Sequence, residues 1–211
     1  MTDTERDLSS LYIWFDTEFT SLELERARLL QVALVITNAQ LDRIVSPTAD
    51  FTCCVKLDES TTVDPWVKDN LADLITSCRS EAALSLEEVN RQLGEYLDRL
   101  LSPIPEAKAK RPVLAGNSIH SDWFLARRDL PALSERLNYR VLDVSSWKVF
   151  WGHSLRGKPF DKDNPALLER YFPGSFTSEA AQHDAHFDVL ASIAELNYYR
   201  SNITLAEDAT R

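Results

Sequence analysis

No apolar run in this chain approaches the roughly 20 residues that a membrane helix needs, so a membrane partner is not expected. The first seven residues are acidic and polar, unlike a signal peptide or an Arg-rich transit sequence. Cysteine is scarce. Cys53, Cys54 and Cys78 form neither a metal-binding spacing nor an even disulfide set. Cys53 and Cys54, adjacent in a predicted strand, are expected to be buried, and the set suggests a reducing compartment such as the cytoplasm. Basic residues are outnumbered, 23 Lys and Arg against 33 Asp and Glu, for a formal net charge of −10. This argues against a protein that coats long nucleic acid, whose affinity comes from many cation–phosphate contacts. It leaves room for a ligand with one or a few phosphates, above all one reached through bound cations. Repeats, low-complexity segments and linkers are also lacking.

What is present suits one ordinary domain over residues 1–211, with 1–9 and 205–211 expected as flexible ends. The chain is 44% hydrophobic, enough for a substantial core. Its organising stretch is Leu11-Tyr12-Ile13-Trp14-Phe15-Asp16-Thr17-Glu18-Phe19-Thr20, an apolar, aromatic run that ends in two acids and reads as a buried strand. Side chains alternate along a strand, so Asp16 and Glu18 share one side. Two like charges at the end of a buried strand repel each other and resist desolvation. Either they end in solvent or a divalent cation compensates them, and oxygen ligands favour Mg²⁺ or Mn²⁺ over zinc.

Strands are also expected at 29–36, 51–57, 113–116 and 139–144. Asp64-Pro65 opens a helix that runs to about Ser77, and Ser85 to Glu88 is a capping box for another. Asn117-Ser118 caps a helix that carries Asp122, and Ser145 begins a helix through Trp147 and Phe150. The 107–111 stretch reads as a solvated basic loop and 157–164 as a polar surface loop. A short helix follows at 165–172 and a last helix at about 185–199, the latter with Val189, Ile193, Leu196 and Tyr199 as its apolar stripe. Strands first, then alternating helices and strands, make a mixed sheet covered by helices.

Three further places carry chemistry. Asp122 falls in the first turns of its helix, where the helix dipole alone would favour it. His183 and Asp188 are five apart, about 140° around a helix axis. They converge only if His183 precedes the helix. Asp184 and Asp188 form a competing pair on one face. His183 and His186 have a spacing seen in metal sites, but no third nitrogen or sulfur ligand accompanies them, and His186 alone reads as a helix-surface residue.

Asp16-Thr17-Glu18, Asp122, and His183 followed by Asp188 resemble the three motif blocks of the DEDDh exonucleases. Asp16-Thr17-Glu18-Phe19-Thr20, Ala115-Gly116-Asn117-Ser118, Tyr139-Arg140-Val141-Leu142-Asp143-Val144-Ser145 and Ala194-Glu195-Leu196-Asn197-Tyr198-Tyr199-Arg200 are more particularly similar to the oligoribonucleases. The blocks run from near residue 11 to near residue 204.

The resemblance implies an α/β, RNase H-like fold: a mixed five-stranded sheet flanked by helices. It implies hydrolysis of very short RNA, dinucleotides included, from the 3′ end to nucleoside monophosphates. Two ions, Mg²⁺ or Mn²⁺, would be held by Asp16, Glu18, Asp122 and Asp188, with neutral His183 taking the proton of the attacking water. It further implies that Leu22 and Trp66 pack on the bases, that Ser118, Arg140 and Ser145 cap the terminal phosphate, and that Tyr139 reaches a neighbouring subunit's site in a homodimer. By their own chemistry, Trp66 could equally anchor a core, Arg140 be a sheet-edge charge and Tyr139 a strand aromatic. Three departures stand out. Ser21 replaces a Gly, Phe187 replaces a second acid beside Asp188, and the 157–164 loop is long.

Overall fold

The computed structural model describes residues 6–175 and 184–203. One five-stranded sheet, in the order β3-β2-β1-β4-β5, organises them. Its strands are β1 (Leu11–Phe19), β2 (Leu29–Asn38), β3 (Phe51–Cys54), β4 (Val113–Gly116) and β5 (Val141–Asp143). The β1–β2 and β2–β3 pairs are antiparallel, and β1–β4 and β4–β5 are parallel. Parallel pairs need crossovers. These are supplied by α1 (Pro65–Asn70), α2 (Ala72–Arg79) and α3 (Leu86–Leu101) before β4, and by α4 (His120–Asp129) and α5 (Pro131–Ser134) before β5. The chain then runs through α6 (Val144–His153), α7 (Pro165–Tyr171) and α8 (Ala185–Asn202).

Alternation along β1 divides the apolar mass. Ile13 and Phe15 point into a core shared with Val89, Leu93 and Leu97 of α3 and Leu125 of α4. Trp14 points to the other face, into a core built on Val189, Ile193 and Leu196 of α8. A third, smaller core seats α1 and α2 on Leu30. The reason is a register slip. Glu18 pairs with Gln31 but Phe19 pairs with Leu29, so Leu30 has no partner across β1, and its side chain is buried with Val67, Leu71 and Ile75.

Several elements differ from expectation. The single helix from Asp64-Pro65 is two, broken at Leu71 (φ −121°, ψ 31°), whose side chain is used in the third core. Asp64 makes no side-chain cap bond and pairs instead with Arg26 at 2.6 Å. The third strand stops at Cys54, and the fifth begins at Val141. Asn117-Ser118 does not cap α4. Ile119 takes that position without a side-chain bond, and Ser118 turns the chain at φ +48°. Asp143 caps α6, so that helix starts one residue early. In the 107–111 stretch Arg111 donates to three backbone carbonyls, those of Pro105, Glu106 and Glu135. Near the N-terminus Leu8 is buried, and its amide donates to the Lys110 carbonyl. No described helix is long and apolar enough to cross a membrane.

Candidate active site

Asp16 and Glu18 project from the α8 face of β1, as strand alternation requires. On that face, α8 presents Asp188 in its first turn. One carboxylate oxygen from each of Asp16, Glu18 and Asp188 lies within 4.8 Å of the other two, close enough to hold one cation. The start of α8 is fixed from β2. The Gln31 amide donates to Asp184 Oδ2 at 2.8 Å and accepts the Ala185 amide at 3.0 Å. Asp184 caps α8 by accepting from His186 and Phe187, so it sets the helix rather than joining the cluster. Phe187 is buried in the core of that face.

Asp122 arrives from the opposite face, on α4. Thr17, one residue from each acid of β1 and therefore pointing away from both, holds it. The Thr17 amide and hydroxyl both donate to Asp122 Oδ1, at 3.0 and 2.6 Å. The structure thus brings three of the four acids into one group, with the fourth beside it and anchored separately. Thr17 lies inside the acidic motif, but its role follows only from knowing which helix covers each face.

The electrostatics express this crowding. Burial lifts the Asp16 carboxyl well above its ordinary range, and the charges of Asp122, Asp188 and Glu18 add to that. Glu18 is pushed up to about 8 by burial and then by Asp188, Asp122 and Asp184. Asp122 is pushed up to about 7 by burial, against the hydrogen bonds from Thr17 that favour its charged form. Lys162 opposes the rise at both Asp16 and Glu18, and its ammonium sits 3.2 Å from Asp188 Oδ1. This lysine was not foreseen, since nothing local in a polar loop tells how far it reaches. The loop is also less polar in its packing than expected. Phe160 is buried, and the Lys158 carbonyl accepts from Trp151 Nε1 and from the Tyr198 hydroxyl.

Two cavities flank the acids. One, of about 370 Å³, is lined by Glu18, Phe19, Leu22, Trp66 and Leu71 among others. Leu22 is 87% and Trp66 56% exposed, so Trp66 is not the core anchor it could have been, and exposed apolar side chains around a cavity suggest a binding role. Ser21 nearby has no left-handed backbone, so the replacement of Gly there is unstrained. The other cavity, of about 290 Å³, has Asp16, Asp188, Lys162, Ser118, Ser145 and Lys148 in its lining.

A hydrogen-bond chain wires that second cavity. Asn117 donates to Ser192 and to buried Glu195, both at 3.0 Å, and accepts from Ser145. The Ser118 amide donates to Asp143 and Ser145. Tyr199 donates to Glu195 at 2.6 Å. Glu195 and Tyr199 belong to the 194–200 block, and their pairing four residues apart on α8 depends on the packing that buries both. Arg140 lines neither cavity. Its guanidinium stands 4.7 Å over the ring of Tyr139, which is 60% exposed. His186 is not a plain surface residue, since its Nε2 lies 2.9 Å from Asp50 Oδ2. His183 lies outside the described residues.

The sequence pattern of the exonuclease family matches residues 13–196. The chain belongs to the exonuclease family. Curated relatives include a probable oligoribonuclease of Schizosaccharomyces pombe, 29% identical over 92% of this chain and 69% of that one. The oligoribonuclease of Corynebacterium diphtheriae is 29% identical over 100% and 91%. The mitochondrial oligoribonuclease of Homo sapiens is 26% identical over 90% and 72%. Among solved structures, an exonuclease I from Methylocaldum szegediense superposes with a TM-score of 0.62 at 19% identity, over 91% of this chain and 40% of that one. E. coli exonuclease I in complex with an oligonucleotide superposes at 0.64 with 14% identity, over 92% and 41%. Those two likenesses speak to fold, and this chain spans less than half the length of either exonuclease I chain. The expected RNase H-like sheet flanked by helices is the fold found.

Proposed function

We propose that this exonuclease-family chain is a metal-dependent 3′–5′ exoribonuclease, one domain over residues 1–211, that takes very short RNA, dinucleotides included, to nucleoside 5′-monophosphates. The observation that carries the reading is the position of the acids. Three carboxylates able to share a cation stand between an apolar cavity and a hydrogen-bonding one. A 5′-phosphorylated dinucleotide can set a base in the first cavity and its terminal phosphate in the second.

The donor set is all oxygen and crowded with charge, which fits Mg²⁺ or Mn²⁺. Asp16, Glu18 and Asp188 would hold the ions, two in number, with Asp122 as the fourth acid. Bound divalent cations supply an activated water and charge relief at the leaving oxygen. Leu22 and Trp66 receive bases, since an apolar or aromatic face packs on any base without reading it. Ser118 and Ser145 cap a terminal phosphate from the wired wall, and Arg140 is added on the family resemblance. His183 takes the proton of the attacking water, as neutral imidazole can near pH 7.

A homodimer is part of the reading. Tyr139, Val141, Val149, Phe150 and Leu155 are exposed apolar or aromatic side chains on β5, α6 and the segments next to them, a surface suited to a second copy. The free state of Cys53, Cys54 and Cys78 accords with a reducing compartment such as the cytoplasm. The test is to incubate purified protein with 5′-labelled di- to heptaribonucleotides, with Mn²⁺ and with EDTA. Monophosphate release that needs the metal and includes the dinucleotide supports the reading. Turnover of long strands without dinucleotide turnover, or none at all, contradicts it.

A further inference from the structure

Helix α4 has two stripes. Asp122, Leu125 and Ala126 face inward. His120, Trp123, Phe124, Arg127 and Arg128 recur at three and four residues on the other side and line an open groove of about 540 Å³. In a chain of net charge −10, this is a local run of two arginines and a histidine interleaved with two aromatics. Phe124 is 38% exposed on that stripe. The Arg127 guanidinium lies 5.8 Å from the Trp123 ring centre, and that of Arg128 5.9 Å from the Phe124 ring centre. We propose that this stripe is a second nucleotide-binding surface. It takes the 5′-ward residues of a single-stranded oligoribonucleotide whose 3′ end lies at the carboxylates.

The proposal rests on the exonuclease reading above, and the fold ties the groove to that site at both ends. His120 opens α4 two residues after Ser118, which lines the polar cavity with Asp16 and Asp188. At the other end, Arg128 donates to the carbonyls of Leu24, Glu25 and Ala27, fixing the loop that carries Leu22. From His120 to Arg128 the helix rises about 12 Å, room for a base and phosphate beyond those in the two cavities. Aromatic faces stack on bases regardless of identity, and guanidinium groups draw the backbone. Arg128 is already engaged by that loop and by Asp129 at 2.6 Å. The contacts to the strand therefore fall to His120, Trp123, Phe124 and Arg127.

The test compares a dinucleotide with a hexaribonucleotide on wild type, Phe124→Ala and Arg127→Gln, two exposed substitutions that avoid the core contacts of Trp123. Turnover is measured with Mn²⁺, and hexamer affinity is measured by fluorescence anisotropy with Ca²⁺. The expected result is a hexamer KM and Kd raised roughly tenfold by Phe124→Ala, with kcat and KM on the dinucleotide unchanged. Arg127→Gln should lower the salt slope of hexamer binding by about one. Unchanged hexamer values, or equal losses on both substrates, overturn the proposal. So does a change of oligomeric state in the variants with hexamer binding intact, which would make the stripe a protein contact. A wild type that cleaves neither substrate would remove the exonuclease reading, while hexamer affinity would still judge the groove.

Discussion

Asp188 and Asp122 reach the end of β1 from helices on opposite faces of the sheet, and they are held there in opposite ways. Asp122 is 5% exposed and receives two hydrogen bonds from Thr17. It is placed whether or not any cation is present. Asp188 faces two other carboxylates and is met by Lys162, which is half exposed and on a loop. One acid is preorganised by neutral donors and the other depends on a counter-charge. The difference teaches where the site is rigid and where it can open: the α4 side is built by hydrogen bonds, and the α8 side is held by charge.

That comparison can be broken in several places. The largest expected effect is on turnover. Asp188→Asn should cut kcat on a dinucleotide by about 10³-fold or more, as loss of one member of a catalytic unit does. Above about pH 8, where Glu18 is ionised, it should also raise the unfolding midpoint of the metal-free protein, because a repelling charge is gone. A midpoint that fell would mean that the lost pairing with Lys162 outweighs the relieved repulsion. Next is base packing. Trp66→Ala should raise KM on the dinucleotide about tenfold with kcat little changed, checked by steady-state kinetics.

Thr17→Val probes the built side. Buried Asp122 would lose its shorter hydrogen bond, and stability should fall by about 1–3 kcal/mol, by denaturant titration, equally with and without Mn²⁺. Lys162→Gln probes the other side and should show the smaller effect. The pair is half exposed, so screening leaves it about 1 kcal/mol or less. The metal-free midpoint should drop by roughly 2–4 °C, and saturating Mn²⁺ should erase the difference. If the Thr17 variant were the one rescued by metal, the two sides would have been assigned the wrong way round.

The pH dependence has a definite sign. Glu18 and Asp122 are raised to about 8 and about 7 when folded, above their unfolded values. Between the unfolded and folded values the native state holds more protons than the unfolded one, so stability falls as pH rises. The metal-free protein should therefore lose stability as pH rises from about 5 through 8. Thermal melts across that range, with EDTA and with Mn²⁺, read the slope and its disappearance.

Much of this was legible before any coordinates. Alternation alone put Asp16 and Glu18 on one side, and turn lengths gave the antiparallel start of the sheet. What stayed hidden depended on packing between distant segments. The Asp184–Asp188 pair looked as good on a helical wheel as any other, but Asp184 is the cap of α8 and is tied to Gln31. Nothing between Asp64 and Ser77 marks a helix break, because Leu71 is diverted by the pocket under Leu30. Lys162 has no local signature at all. Its place is set by how α6 and α7 carry the loop between them to Asp188 of α8, and the anchoring of Asp122 depends on α4 covering the face to which Thr17 points.

The most direct test of the central claim is the unfolding midpoint at pH 8 in EDTA and in Mn²⁺, for wild type and Asp188→Asn. At Mn²⁺ a hundredfold above its dissociation constant, linkage gives about 2.7 kcal/mol, a rise of roughly 5–10 °C for a chain of this size. The account predicts that rise in wild type and its loss in the variant. Equal midpoints in EDTA and Mn²⁺ for wild type, or an undiminished rise in Asp188→Asn, would contradict it.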